Sequence, residues 1–177
     1  MISALTPAAV EDHLPGLSAL LADTVTGGAS IGFLAPMPPD AAAAWWRAVA
    51  GRLGEDHLAW AAHDGDRVVG TVQLVRATAP NSRHRGDVAK LMVHPDARGR
   101  GLARALLEAV DSRARELGVT LLVLDTETGS PAETLYEKAG WTRVGEIPDY
   151  ALDPHGRPHP TTVFWKRPTG SRPNLGA

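Results

Sequence analysis

The sequence predicts a single α/β domain built on one mixed sheet, and three observations carry that expectation. Hydrophobic periodicity gives the element order: two helices and a hairpin, then β-α-β-α-β-β. Val119–Leu124 is nearly continuous in apolar residues, as in a strand covered on both faces. The length of 177 residues is about 1.2 times a typical domain, so residues 1–166 are expected to form one domain and 167–177 a flexible C-terminal tail.

Thr6-Pro7 has the form of an N-cap followed by proline at the first helical position, and Leu14, Leu17, Leu20, Leu21 and Val25 then recur at helical spacing up to Gly27-Gly28, with a break or restart at Pro15. A glycine-rich loop, Gly27-Gly28-Ala29-Ser30-Ile31-Gly32-Phe33, and three prolines keep the chain irregular until Asp40, which is expected to cap a helix running to about Leu53. His57–His63 and Arg67–Val75 are β-prone runs joined by the hairpin signal Asp64-Gly65-Asp66. Asp87–Val93 reads as the next strand, ended by His94-Pro95. Leu102, Leu106, Ala109, Val110, Ala114 and Leu117 then mark one apolar stripe of a helix closed by Gly118. After Val119–Leu124, Ser130-Pro131-Ala132-Glu133 has the form of a capping box opening a short helix that stops at Gly140, and Trp141–Ile147 and Thr161–Lys166 are the closing strands.

Composition narrows the function. With 44% hydrophobic and 21% charged residues the chain can bury a core, which excludes wholesale disorder. A formal charge of -2 offers no global attraction to nucleic acid or an acidic membrane. No apolar run approaches the roughly 18 residues of a membrane span, and Met1–Thr6 lacks the basic and apolar regions of a secretory signal, so a cytoplasmic location is expected. The count of zero Cys removes disulfides, thiolate ligands and any cysteine acyl-enzyme. His155 and His159 are the only close histidine pair and lie in a Pro/Gly turn, so no metal is expected.

The stretch Arg98-Gly99-Arg100-Gly101-Leu102-Ala103 joins a strand to a helix start, where unpaired amides and the positive end of the helix dipole suit a pyrophosphate. It is not a dinucleotide fingerprint, because Arg104 stands at the third glycine position, and the P-loop pattern is absent. Taken by itself, it reads equally as a glycine-rich helix start with solvated arginines.

Arg98-x-x-Gly101-x-Ala103, followed about 30 residues later by Ala132-Glu133-Thr134-Leu135-Tyr136-Glu137-Lys138-Ala139-Gly140-Trp141, resembles the GNAT superfamily of acetyl-CoA-dependent N-acetyltransferases. Gly27–Phe33, Lys90–Val93, Leu124–Glu127, Thr142–Pro148 and Gly156–Thr161 are similar to the tabtoxin-resistance acetyltransferase and its relatives. The resemblance implies a mostly antiparallel sheet with a splayed parallel strand pair and flanking helices. It implies that Leu91, Met92 and Val93 meet the pantetheine arm of acetyl-CoA, with the backbone of Met92 and Val93 polarising the thioester. The amides of Arg98, Gly99, Arg100, Gly101, Leu102 and Ala103 would hold the pyrophosphate. Tyr136 matches the family tyrosine near the CoA sulfur, where a phenol of ordinary pKa near 10 can protonate a thiolate. Asp87 stands where the tabtoxin-type pattern has a catalytic Glu, one methylene shorter and so favouring a water relay, and Asp125 matches a catalytic Asp. Gly129 replaces an Asn that contacts pantetheine in many members, which leaves Ser130 as the polar group there, with a plain helix cap as its alternative reading. Ser30, Phe33 and Glu127 are expected to line the acceptor site, with Trp45 and Trp46 partly core and partly its wall. The Arg83-His84-Arg85 run reads as a solvated loop, with the CoA 3′-phosphate as the alternative.

The resemblance thus implies direct acetyl transfer to the primary amine of a small amino-acid-like or antibiotic molecule, with a resistance or detoxification role. A polyamine or protein amine is the alternative acceptor, and a non-catalytic acyl-CoA-binding regulator the alternative class. Exposed sheet edges make a homodimer plausible.

Overall fold

The computed structural model describes residues 1–168. Its strands are β1 (Ile2–Ala4), β2 (His57–Asp64), β3 (Arg67–Arg76), β4 (Arg85–Val93), β5 (Leu121–Glu127), β6 (Thr142–Leu152) and β7 (Pro158–Lys166). They form one sheet in the order β1-β2-β3-β4-β5-β7-β6, in which β4 and β5 are the parallel pair and every other pairing is antiparallel. The helices are α1 (Pro7–Asp12), α2 (Leu14–Thr26), α3 (Pro39–Ala50), α4 (Leu102–Glu116) and α5 (Pro131–Lys138). None of them is long and apolar enough to cross a membrane. Beyond Pro168, which is buried, the expected tail lies outside the described residues.

Local chemistry explains most element ends. Thr6 Oγ1 accepts from the Ala9 amide at 3.1 Å with Pro7 at the first helical position, as its sequence predicts. The helix does break and restart here: α1 ends at Asp12 and α2 opens at Leu14 with Pro15 in its first turn, where its missing N–H costs no hydrogen bond. The second helix starts earlier than expected: Pro38 is its N-cap, Pro39 its first residue, and Asp40 lies in its first turn, adding charge favourable to the dipole rather than a cap. The capping box is also rearranged. Ser130 is the N-cap of α5 but makes no side-chain cap, while Glu133 Oε2 accepts from the Gly129 amide at 2.7 Å, one residue earlier than the motif requires. The strand β1 escaped the sequence reading because three residues are too few to show a period.

Pleating divides the core into two layers. Leu106, Leu107, Val110 and Ala114 of α4 pack on Trp60, Val72, Leu74, Val88, Leu122 and Leu124, and α5 adds Tyr136 to the same face. The opposite face carries Ala59, Ala61, Val68 and Met92 under α1–α3, where Trp46 is fully buried and donates its indole N–H to the Leu17 carbonyl at 2.9 Å. A buried ion pair, Lys166 Nζ to Asp111 Oδ2 at 2.7 Å, ties the end of β7 to α4. Gly70 is where β3 passes closest to β4: a Cβ there would meet the Met92 carbonyl oxygen at 2.9 Å and Leu106 Cδ1 at 3.2 Å.

The β6–β7 connection is organised by Asp153. Its Oδ1 accepts from the His155 and Arg157 amides at 2.8 and 2.9 Å, and its Oδ2 accepts from Arg157 Nε at 2.9 Å. The Arg157 amide is the largest influence that pulls this carboxyl down to about 2. The loop between α2 and α3 is anchored here, the Ala35 amide donating to the Pro154 carbonyl at 2.8 Å.

Two stability predictions follow from these contacts. Gly70→Ala overpacks a site walled by backbone and is expected to destabilise by about 1–3 kcal/mol with an unchanged m-value in urea unfolding. Asp153 titrates lower folded than unfolded, so its stabilisation is complete above the unfolded pKa of about 4 and is lost as pH falls from there toward 2. Asp153→Asn is therefore expected to lower the melting temperature at pH 7 and to flatten its dependence on pH below about 4, read by thermal unfolding across that range.

Candidate active site

The central feature is an opening in the sheet. Parallel pairing of β4 with β5 is limited to Arg85–Leu121, Gly86–Leu122 and Asp87–Val123, although β4 continues to Val93 and β5 to Glu127. Past Asp87 the two strands diverge, leaving one edge of β4 facing a cleft. Which backbone groups face it follows from the ladder on the other edge. The Ala77 amide bonds Arg85 and the His94 amide bonds Val69. Antiparallel pairs alternate, so Asp87 and Ala89 turn their backbone to β3, and so does Met92, opposite Thr71. Val88, Leu91 and Val93 therefore present amides and carbonyls to the cleft, and Val93 O accepts from Arg98 Nε at 3.2 Å. This corrects the expectation for Met92: its backbone serves the sheet and its side chain is core, while Leu91 joins Val93 in facing the opening.

A bulge produces the switch. Between Ala89 and Met92 two β4 residues oppose the single residue Val72, and Lys90 adopts φ +54°, a left-handed conformation costly for a side chain with a Cβ. Before the bulge Val88 packs on the α4 face; after it Leu91 and Val93 do, and Met92 joins the α1–α3 face.

The carboxylates enter from one face and the phenol from the other. Gly86 and Val88 face α4, so Asp87 between them faces the α1–α3 side; Leu124 likewise leaves Asp125 there. Burial raises the Asp87 pKa above the ordinary carboxylate value, the Asp125 charge adds to this, and the Arg85 guanidinium opposes it. Asp125 Oδ2 accepts from Thr161 Oγ1 at 3.4 Å. Tyr136 lies 6% exposed in the α4-face core, edge-on to Trp141 with centroids 5.9 Å apart, and burial followed by the Asp125 charge pushes its pKa upward. The Asp125 charge thus bears on both Asp87 and Tyr136, and the phenol stays protonated at neutral pH.

The expected pyrophosphate loop follows β4. Gly99 and Gly101 have φ +74° and +77°, conformations that favour glycine, and Gly101 is the N-cap of α4. The first intrahelical bond runs from Ala105 to Gly101, so the amides of Gly101, Leu102, Ala103 and Arg104 come before it and point out of the helix start. The two arginines are already engaged, Arg98 on Val93 O and Arg100 in an exposed 2.7 Å pair with Asp64 of the β2–β3 hairpin. Arg83 and Arg85 are at the far end of β4, where Arg83 pairs with Asp56 at 2.9 Å, which leaves the solvated-loop reading of that run.

The opposite mouth of the cleft is formed by the loop of Ser30 and Phe33 and by the β6–β7 connection. Phe33 packs edge-on against Trp45 with centroids 5.3 Å apart. Glu127, at the end of β5, meets His159 Nδ1 at 3.6 Å, while His159 Nε2 is 3.4 Å from Asp153 Oδ2. Among the described residues no group of His, Cys, Asp or Glu is placed to hold a metal ion. Ser130 is half-buried at the start of α5, its Oγ 3.5 Å from Thr126 Oγ1. Sequence reasoning missed Lys90, whose Nζ donates to the Ile31 carbonyl at 2.6 Å and lies 5.3 Å from the centre of the Phe33 ring. Its signal was a lone lysine inside the apolar stretch Val88–Val93.

Comparison with known proteins matches this geometry. N-acetyltransferase 8B of Rattus norvegicus is 38% identical over 89 residues, 49% of this chain and 40% of that protein. The mycothiol acetyltransferase of Geodermatophilus obscurus is 38% identical over 114 residues, 62% of this chain and 31% of that protein. The matches thus span less than half the length of these relatives. Among solved structures, the ribosomal-protein-alanine N-acetyltransferase of Brucella melitensis superimposes with a TM-score of 0.74 at 23% identity, over 94% of this chain and 99% of that one. A Salmonella typhimurium protein described as an acetyltransferase, solved with its cofactor acetyl-CoA, gives a TM-score of 0.75 at 20% identity over 99% and 98% of the two chains. Residues 55–143, half of the chain and spanning β2–β5, α4 and α5, match the model of the acetyltransferase (GNAT) domain: the chain belongs to the GNAT acetyltransferase family.

Proposed function

We propose that this chain transfers acetyl from acetyl-CoA directly to the primary amine of a small amino-acid-like molecule. The observation that carries the proposal is the β4–β5 opening, which brings two carboxylates from one face of the sheet and a protonated tyrosine from the other to a single cleft. Acetyl-CoA fits the residues present: backbone groups of Val88, Leu91 and Val93 face the opening, and the amides of Gly101–Arg104 suit its pyrophosphate. It supplies the thioester whose carbon–sulfur bond breaks as the carbon–nitrogen bond forms.

The chain's own residues then have distinct tasks. Asp87 and Asp125 hold the incoming ammonium and accept its proton, Asp87 through a water because its side chain is short. The Leu91 and Val93 amides polarise the thioester carbonyl toward the oxyanion. Tyr136 gives its phenolic proton to the departing thiolate, for which its raised pKa keeps it in the donating form. Asp87, buried and raised in pKa, is a better base near neutral pH than a solvated aspartate. The similarity to tabtoxin-resistance acetyltransferases supports an antibiotic-like acceptor and a resistance role.

The test is acetyl-CoA-dependent thiol release against a panel of small amines that includes tabtoxinine-β-lactam. Turnover is expected, with kcat reduced by about 10²-fold in Tyr136→Phe and similarly in Asp125→Asn. In the wild type, kcat/KM is expected to fall as pH drops through a pKa above the ordinary aspartate value of about 3.9, and Asp87→Asn is expected to remove that limb. Binding of acetyl-CoA without thiol release on any amine would overturn the catalytic reading.

A further inference from the structure

Lys90 is a cation that the fold brings close to Asp125 and to the Ile31–Phe33 loop. Its position is built at some cost. The residue bears the bulge of β4 in a left-handed conformation, and its side chain is largely withdrawn from water, which depresses its pKa against the opposing pull of Asp125. One of its three donors goes to the Ile31 carbonyl, and a Cβ on Gly32 would stand 3.0 Å from its Nζ, so glycine is what lets the loop close over it. Phe33 covers the ammonium from the side. A structural strut alone does not require an ammonium close to both Asp125 and Phe33.

The arrangement has a consequence for the acceptor. Asp87 and Asp125 present two carboxylates, and Lys90 sets one ammonium near Asp125 and against the Ile31–Phe33 loop. A diamine or polyamine would bring a second ammonium against Lys90, which is unfavourable in a partly desolvated cleft. A molecule with an anionic group close to its amine matches both signs, its ammonium on the carboxylates and its anion on the remaining donors of Lys90.

We propose that Lys90 is the specificity-determining residue of the acceptor site, selecting amines that carry a neighbouring carboxylate or equivalent anion. This deepens the acetyl-transfer reading and rests on it. The selection is electrostatic: the ammonium pairs with the acceptor's anion and so holds the amine over Asp125, while an acceptor without the anion must desolvate Lys90 for no return.

The experiment uses acceptor pairs that differ only in the carboxylate: lysine and cadaverine, phenylalanine and phenethylamine, methionine and 3-(methylthio)propylamine. Wild type, Lys90→Met and Lys90→Arg are compared by kcat/KM under acetyl-CoA, after circular dichroism shows each to be folded. In the wild type the acid is expected to exceed its decarboxylated partner by about 10-fold or more, the size of a charge-assisted hydrogen bond. Lys90→Met is expected to bring the ratio near one and Lys90→Arg to keep most of it. A strut role would lower both members of a pair together, so an unchanged ratio in Lys90→Met overturns the proposal, as does a wild-type ratio near one. If the wild type binds acetyl-CoA but turns over none of these acceptors, the acetyl-transfer reading to small amines has failed. The inference is then decided by thermal shifts with the same pairs in the presence of CoA, where equal shifts for acid and amine overturn it.

Discussion

Two parallel strands that begin paired and then part impose the conditions on which the rest of this molecule depends. After Asp87 and Val123 the hydrogen-bonding edge of β4 has no strand beside it, and the neighbouring amides and carbonyls are left for water or a ligand. A central sheet tolerates such a gap only if both sides of it are held elsewhere. Here β3 holds β4 through antiparallel pairing, β7 holds β5, and α4 spans the underside with a continuous apolar stripe. The rigidity of the surroundings keeps the opening from closing, so an extended thiol-bearing arm can take the place of a missing strand.

The same opening solves a placement problem. In the proposed reaction, an acid that protonates a thiolate and carboxylates that accept a proton from an amine need different surroundings, and the sheet separates Tyr136 from Asp87 and Asp125. Tyr136 sits among Trp141, Phe164 and Leu124 on the α4 face, where burial keeps it neutral. Asp87 and Asp125 stand on the other face, where partial exposure lets them remain within reach of water and a polar acceptor. The gap is where the two environments communicate. The loops at the acceptor side are held by contacts between segments far apart in sequence, Lys90 to Ile31 and Ala35 to Pro154. Glu127, His159 and Asp153 continue that bracing along the β6–β7 connection.

Several features were legible in the residues because they are local. The Thr6-Pro7 helix start, the Asp64-Gly65-Asp66 turn, the glycines at 99, 101 and 118 and the apolar stripe of α4 each encode a backbone preference that tertiary context did not override. The mostly antiparallel sheet with its one parallel pair, β4–β5, matched the fold that the resemblance implied. Where reading failed, the deciding contact was non-local. Glu133 bonded Gly129 because Thr162 of β7 holds its other oxygen at 2.8 Å. The partner of the Arg100 guanidinium, which the sequence left open, is Asp64, because the β2–β3 hairpin reaches it.

By itself the sequence determined the element types, the glycine turn before α4, the tyrosine on α5 and the carboxylates at β4 and β5, since these follow from spacing and from side-chain chemistry along a short stretch. Only the tertiary structure decided which faces they occupy and which groups meet. One extra residue in β4 exchanged the sides of the sheet for everything after it, taking Met92 out of the cleft and bringing Leu91 and Lys90 to it. A bulge depends on the register of two strands, and a register is a property of the pair that no single strand's sequence contains.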